Sequence, residues 1–420
     1  MEKTQPKIHY AWWILVAMCA MMLAGQGIIN NCAGIFYSHV ADELGVGRGT
    51  VSLYMTIGNL ACCVALPFAG PYLMKCNVRK VLPGAMTLIC INAALMSVYK
   101  SVWCWYIAGV IQGALGAFIF LVPAPLILSN WFYKKSGFAI GFAMAFSGLG
   151  GIIFNPLISA ALAAWGWRTA YLVYAGFAFV IAVPLLAALV RYKPEDIGMK
   201  PYGWNEEEEA KKAAEASTAL SKPGVMQKNA VKSPIFYFTM VVIGLIAFST
   251  TYYQHVSGFA TSLGWATVAA GTLVSCVSFG NMALKFIYGV LSDLMGVRNS
   301  SIVMFLVAFA GFIMMVFCQN SQAALYVAAV FYGSTMALCA VGAPLITKGI
   351  FGEKDYGSIY GTMSIVTYLV GAVGMSGIGF MYDIYGSYDL AWIVGGIGLV
   401  VAMVFMVICF AKKKTMKWEE

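Results

Sequence analysis

Apolar runs of about 18 to 28 residues follow one another along almost the whole chain, parted by short stretches of charge, Gly, Asn and Ser. A run of that length, wound as a helix, crosses roughly 30 Å of hydrocarbon. The breaks predict twelve spans, at 11–38, 50–74, 81–99, 103–129, 137–163, 168–190, 235–261, 267–291, 300–318, 322–348, 357–381 and 388–411. An even number brings both termini to one side. One long polar stretch, 191–234, divides the spans into six at 1–190 and six at 235–420. The expected fold is an all-α membrane protein of two pseudo-symmetric six-helix bundles. Within the linker, Glu206 to Glu209, Lys211, Lys212 and an Ala-rich stretch predict a surface helix that tethers the two halves.

Composition agrees: 61% of the 420 residues are apolar and 10% charged, against about 45–50% and about 25% in soluble globular chains. A soluble enzyme, with charges every few positions on its exposed faces, is excluded. The formal charge of +9 suggests nucleic acid or an acidic partner only until its placement is read. With the N-terminus inside, every Lys and Arg falls on the cytoplasmic side except Arg48, Lys100 and Arg168, which lie outside, and Lys285, which lies within a span. Basic loops stay cytoplasmic, so the expected location is the inner (plasma) membrane with both termini in the cytoplasm. The lipid bilayer is then the partner of most of the surface, and no nucleic acid is expected. Eleven cysteines scattered through the spans, without CxxC pairs, read as small buried apolar side chains. The first run follows Lys3 and Lys7 without a small-residue cleavage site, and is expected to be retained.

Lys285 carries the most information. An ammonium deep in a span costs a few kcal/mol or more unless it faces a cavity or meets an anion. No Asp or Glu lies at comparable depth, and Asp293 is about 12 Å further along a helix axis. The missing counter-charge is read as the substrate; the alternative is a lysine that snorkels to the surface. The surrounding cavity is expected to use mid-span polar and aromatic residues. These are Asn281 beside Lys285, then Gln26, Asn30 and Asn31 in the first span, Gln112 in the fourth and Asn155 in the fifth. Tyr252 and Tyr253 in the seventh, Tyr332 in the tenth and Tyr360 in the eleventh complete the set. Together they could orient a carboxylate whose apolar part rests on aromatic faces, although each alone also fits a helix-to-helix hydrogen bond. His39 and His255 read as solvated residues at the outer ends of their spans.

Gly137, Gly141, Gly148, Gly150 and Gly151 in the fifth span, with Gly371, Gly374 and Gly377 in the eleventh, predict closely approaching helices. Asn155-Pro156 and Pro123-Ala124-Pro125 permit kinks. There is no Gly-rich nucleotide loop, no metal-ligand cluster and no set of nucleophile, base and acid. Neither catalysis nor a cofactor nor a metal is expected.

The two halves echo each other, Gly70-Pro71-Tyr72-Leu73-Met74-Lys75 following the second span as Gly289-Val290-Leu291-Ser292-Asp293-Leu294 follows the eighth. Gly289-x-x-Ser292-Asp293-x-x-Gly296-x-Arg298 is similar to the loop motif of the major facilitator superfamily, and its first-half counterpart is degraded, with Met74 where that family has Asp. The stretch from Asn130 through Trp131, Phe132 and Lys135 to Gly141, and Asn281-x-x-x-Lys285-x-x-x-Gly289, resemble the superfamily's monocarboxylate porter and oxalate:formate antiporter branch. That resemblance implies a carrier in which Lys285 takes the place of a substrate-facing base. On physical grounds Asp293 can cap a neighbouring helix or pair with Arg298, a gating clamp that would favour the outward-open state.

The expected function is carriage of a small organic anion, a monocarboxylate, by alternating access. Relatives that exchange oxalate resemble one another in a second base, whose position here falls on Met363; proton symporters of the branch place an acid where this chain has Asn281. Exchange is therefore favoured over proton symport, which stays open as an alternative with protons as possible co-substrates. A non-transporting membrane sensor is a further alternative. The protein is expected to work as a monomer.

Overall fold

The computed structural model describes residues 9–133, 135–204, 224–352 and 354–416. Among them, ten helical stretches are long and apolar enough to cross a membrane. Two of these cannot be single spans. Phe138–Leu189 and Thr267–Phe317 hold 52 and 51 residues, and a straight helix of that size would measure about 77 Å. Each is broken at a glycine of left-handed φ, Gly166 (φ 77°) and Gly296 (φ 80°), a conformation that a side chain would strain. The chain doubles back at Gly166, since Trp167 bonds Glu43 at one end of the bundle while the Arg191 carbonyl accepts from Trp131 at the other.

Twelve spans result. Spans 1 to 4 are Ala11–Leu44, Arg48–Lys75, Val78–Val98 and Val102–Trp131. Spans 5 and 6 are 136–165 and 167–189. Span 7 is Pro234–Ser262, spans 8 and 9 are 267–295 and 297–317, and spans 10 to 12 are Gln322–Phe351, Tyr356–Tyr385 and Asp389–Lys412. Span 1 outruns its expected end because a 3₁₀ turn at Ala33–Phe36 leads into a further helix, stopped by Gly45 at φ 64°. Buried apolar residues from Ala11 to Val190 form one core, and those from Val225 to Met416 a second.

Spans 1, 4, 7 and 10 are interrupted in their interiors, each by a stretch that is not α-helical. These are π-helical turns at Met22–Asn30, Ala117–Leu121 and Leu338–Gly342 and a 3₁₀ turn at Tyr252–His255. Such turns shift the register of side chains around the axis and often mark functional positions. Pro123 follows the turn in span 4, as the sequence allows, whereas the backbone remains helical through Pro156.

Glycines set the closest approaches. Gly150 of span 5 meets Gly27 of span 1, and Gly280 of span 8 lies against the backbone of Val330 and Gly333 in span 10. Of the three glycines singled out in span 11 only Gly374 has a neighbour that near. Gly280→Ala would drive a methyl into the Val330 carbonyl, and neither helix backbone can yield without moving its whole span. The expected loss is about 1–3 kcal/mol, read as a lower unfolding temperature in detergent; an unchanged temperature would mean that these spans are not tightly apposed.

The linker is tied down at both described ends. The Tyr202 amide donates to the Trp131 carbonyl at 2.8 Å, and the Val225 amide to the Phe351 carbonyl at 2.8 Å. The helix expected around Glu206 to Lys212 lies outside the described residues.

Candidate functional site

Two adjoining cavities of about 470 and 370 Å³ lie between the two halves and reach Gly141 and Tyr360, toward the end that carries Ala11 and Lys412, and a smaller one of about 130 Å³ lies beside them among spans 1, 2 and 4. All four interruptions contribute to their walls: Gln26 and Asn30 from span 1, Phe120 from span 4, Gln254 from span 7 and Ala340 from span 10. The irregular turns thus aim side chains inward that an uninterrupted helix would place elsewhere. Lys285 lines both larger cavities, together with Gln26, Ser147 and Asn281. It takes part in no hydrogen bond or ion pair among the described residues. A cation so placed attracts an anion from either cavity.

Most residues expected at the site converge on it. Lys285, Asn281, Gln26, Asn30, Asn31, Tyr253 and Tyr360 line the 370 Å³ cavity, and Gln112 lines the smallest. Asn31 also ties span 1 to span 5, its amide donating to the Ser147 carbonyl at 3.1 Å. Three of the expected residues stand elsewhere. Asn155 is fully buried between spans 5 and 7, its amide 3.4 Å from the Tyr253 hydroxyl. Tyr252 packs against Phe312 and Trp392 and donates to the Ala391 carbonyl at 2.6 Å. Tyr332 is wholly buried and donates to the Ser249 carbonyl at 2.9 Å. The two tyrosine hydroxyls are spent on backbone carbonyls inside the second core, Tyr252 at the start of the 3₁₀ turn in span 7 and Tyr332 from span 10.

Met363 is likewise buried, with the Thr347 hydroxyl 3.6 Å from its sulfur, and does not line the cavity. Span 11 instead presents Tyr360, Ser364, Thr367 and Tyr368. Tyr368, Thr250 and Gln254 were not singled out from the sequence. The stripe Tyr360, Ser364, Tyr368 at every fourth position was legible there as one polar helical face. Gln254 was not, because it follows the tyrosines into the irregular turn.

The opposite end is sealed. The Arg48 and Gly49 amides, the first donors of span 2, each reach the Asp383 carboxylate of span 11 at 2.9 Å. A carboxylate on a helix N-terminus gains both charge-assisted hydrogen bonds and attraction to the helix dipole. The Arg48 guanidinium goes on to the Gly258 carbonyl at 3.1 Å and the Tyr388 hydroxyl at 3.3 Å, and lies 4.2 Å from the centre of the Tyr382 ring. Deeper in, the Thr56 hydroxyl reaches the Ala372 carbonyl at 2.6 Å, and the Gln254 amide donates to the Asn30 carbonyl at 3.1 Å.

His255 sits under this clasp and corrects the expectation of a solvated ring. It is 2% exposed, lies between Tyr37 and Tyr388, and has Nε2 2.7 Å from the Met375 carbonyl. The reason is that span 1 rises well past the membrane end assigned to it and packs over span 7. His39 is half-buried, beside Ser38. At the other end Asp293 and Arg298 are exposed, and neither forms a hydrogen bond or ion pair among the described residues. The expected Asp293 clamp is not made in this conformation; the Met74 side chain lies outside the described ones.

A family model described as Major Facilitator Superfamily matches residues 13–266 and 256–420. Among curated proteins, the probable transporter MCH2 of Saccharomyces cerevisiae is 27% identical over 396 residues, covering 92% of this chain and 73% of that one. Monocarboxylate transporter 13 of Bos taurus is 21% identical over 93% of this chain and 87% of its own. The oxalate:formate antiporter of Oxalobacter formigenes is 28% identical over 43% of each. Among solved structures, the nucleoside transporter NupG superposes with a TM-score of 0.71 at 12% identity, over 96% of this chain and 99% of that one. At such identity the superposition speaks for the fold.

Proposed function

Because the chain belongs to the Major Facilitator Superfamily, we propose that it carries small organic anions, specifically monocarboxylates, by alternating access, with Lys285 as the anchor for the carboxylate. That it is a multi-pass membrane transporter with monocarboxylate transporters among its relatives is given by the family and those relatives. The single observation behind the finer reading is Lys285 itself, the one cation among the described residues of walls otherwise made of amides, hydroxyls, sulfur groups and hydrocarbon, where two cavities between the halves adjoin. One cation balances one carboxylate, and a dianion would keep an uncompensated charge in low dielectric.

The bias of Lys and Arg toward the end with both termini supports a cytoplasmic opening, and hence an inward-open state in the plasma membrane. Residues 1–190 and 235–420 then act as the two rocking units, each functional within a monomer, with 191–234 as their tether. Spans 2 and 11 meet at Arg48 and Asp383, and that contact must part before the site can face outward.

Exchange is the coupling that this lining supports best. A bound anion neutralises Lys285 and lets the occluded state form without a titrating acid, and Asn281 stands where such an acid would be. His255 is engaged with a backbone carbonyl. In proteoliposomes, unlabelled internal substrate should accelerate uptake of labelled monocarboxylate several-fold, and an inward proton gradient should do so far less. Uptake driven by the gradient and indifferent to internal substrate would replace exchange by proton symport. Absence of carboxylate uptake under both conditions would remove the anion reading.

A further inference from the structure

The walls on the two sides of Lys285 share Gln26, Ser147 and Asn281 and differ in the rest. In the 470 Å³ cavity it is joined by Met22, Phe120, Met144, Met282 and Phe286. In the 370 Å³ cavity it is joined by Asn30, Thr250, Gln254 and Tyr368. Polarizable thioethers and aromatic rings form an adaptable apolar surface. The amide side offers a sharper clue. Gln254 is 4% exposed and Asn281 5% exposed, and Gln254 Oε1 and Asn281 Oδ1 have no hydrogen-bond partner among the described residues. The orientation of Gln254 is fixed, because its Nε2 donates at 3.1 Å to the Asn30 carbonyl, which can only accept. What remains is a buried acceptor. Asn281 precedes Lys285 by one helical turn, so the two side chains stand on one face of span 8.

Buried acceptors are normally satisfied, and two left open on residues that line the cavity point to a donor on the ligand. Building on the reading of Lys285 as a carboxylate anchor, we propose that the transported anion is a monocarboxylate with two further features. It carries at least one hydrogen-bond donor, a hydroxyl or an N–H, that meets Asn281 and Gln254. It also carries an apolar body of ring size that lies on the Met and Phe wall. Formate and acetate have neither a donor nor the bulk to use this wall. A site built around a donor rejects analogues that lack it, since their binding leaves the polar groups unpaired.

The test is a ladder of dissociation constants on the purified full-length chain in detergent, with acetate, phenylacetate, mandelate and O-methylmandelate as probes. Mandelate should bind about tenfold or more tightly than phenylacetate and O-methylmandelate alike, since the first of these lacks the oxygen and the second only the donor. Phenylacetate should bind about tenfold or more tightly than acetate. In Asn281→Leu the preference for mandelate over phenylacetate should shrink, and in Gln254→Leu likewise. If phenylacetate and O-methylmandelate match mandelate on the unmodified chain, the donor requirement is overturned while the carboxylate anchor stands. If acetate matches phenylacetate, the apolar subsite is overturned. If no carboxylate binds, the anchor itself is wrong and this inference falls with it.

Discussion

Replacing Lys285 with Gln should lower carboxylate uptake by 100-fold or more while the protein stays folded and inserted. Removing one partner of a desolvated charge pair costs about 3–5 kcal/mol, and each 1.4 kcal/mol is about tenfold. The pair here is Lys285 with the bound anion, so the cost falls on binding. The unliganded protein should not suffer, because Lys285 makes no hydrogen bond or ion pair among the described residues. Its ammonium there is an expense to the fold, and Lys285→Gln should show an unchanged or higher unfolding temperature in detergent. Lys285→Arg, which keeps the charge, should retain part of the uptake. Wild-type uptake by Lys285→Gln would refute the anchor; a fall in unfolding temperature together with uptake would mark Lys285 as a structural residue instead.

Asp383→Asn should loosen the sealed end. The carboxylate receives the Arg48 and Gly49 amides at 2.9 Å each, and the substitution removes its charge from the start of span 2. Charge-assisted hydrogen bonds contribute about 1.5–3 kcal/mol, so the clasped state should lose about tenfold or more in population relative to the state open at this end. The measurement is hydrogen exchange of the amides at the start of span 2, which Asp383 protects directly, compared before and after substitution. Faster exchange there, without a change in the interior of span 8, is the expected pattern. Equal protection in both proteins would mean that the Thr56 and Gln254 contacts beneath hold the end shut and that Asp383 is incidental.

Most of the architecture was legible in the sequence, since a lipid-facing helix must be apolar around most of its girth over a fixed length. The span lengths, their number and the break at Gly296 all follow from that one constraint. Lys285 was legible for the same reason, as a lone charge inside such a run. Asn155, Tyr252 and Tyr332 show where that reasoning stops. Polarity and mid-span depth select residues that need a partner, and they do not say whether the partner is a ligand or the Ala391 and Ser249 carbonyls of a neighbouring helix. The answer depends on rotation about the helix axis, which the turns in spans 1, 4, 7 and 10 reset locally.

The clasp shows the same limit at longer range. Arg48 and Asp383 lie 335 positions apart and each reads as an ordinary loop charge. Only the packing of span 2 against span 11 brings the carboxylate onto the first amides of the helix. By itself, then, the sequence determined the twelve spans, the two halves and the one cation placed within a span, because the cost of placing charge or bare backbone in hydrocarbon acts residue by residue. Tertiary structure alone decided which polar groups face the cavity, which are spent on neighbours and which end is shut, because those outcomes depend on contacts between helices far apart along the chain.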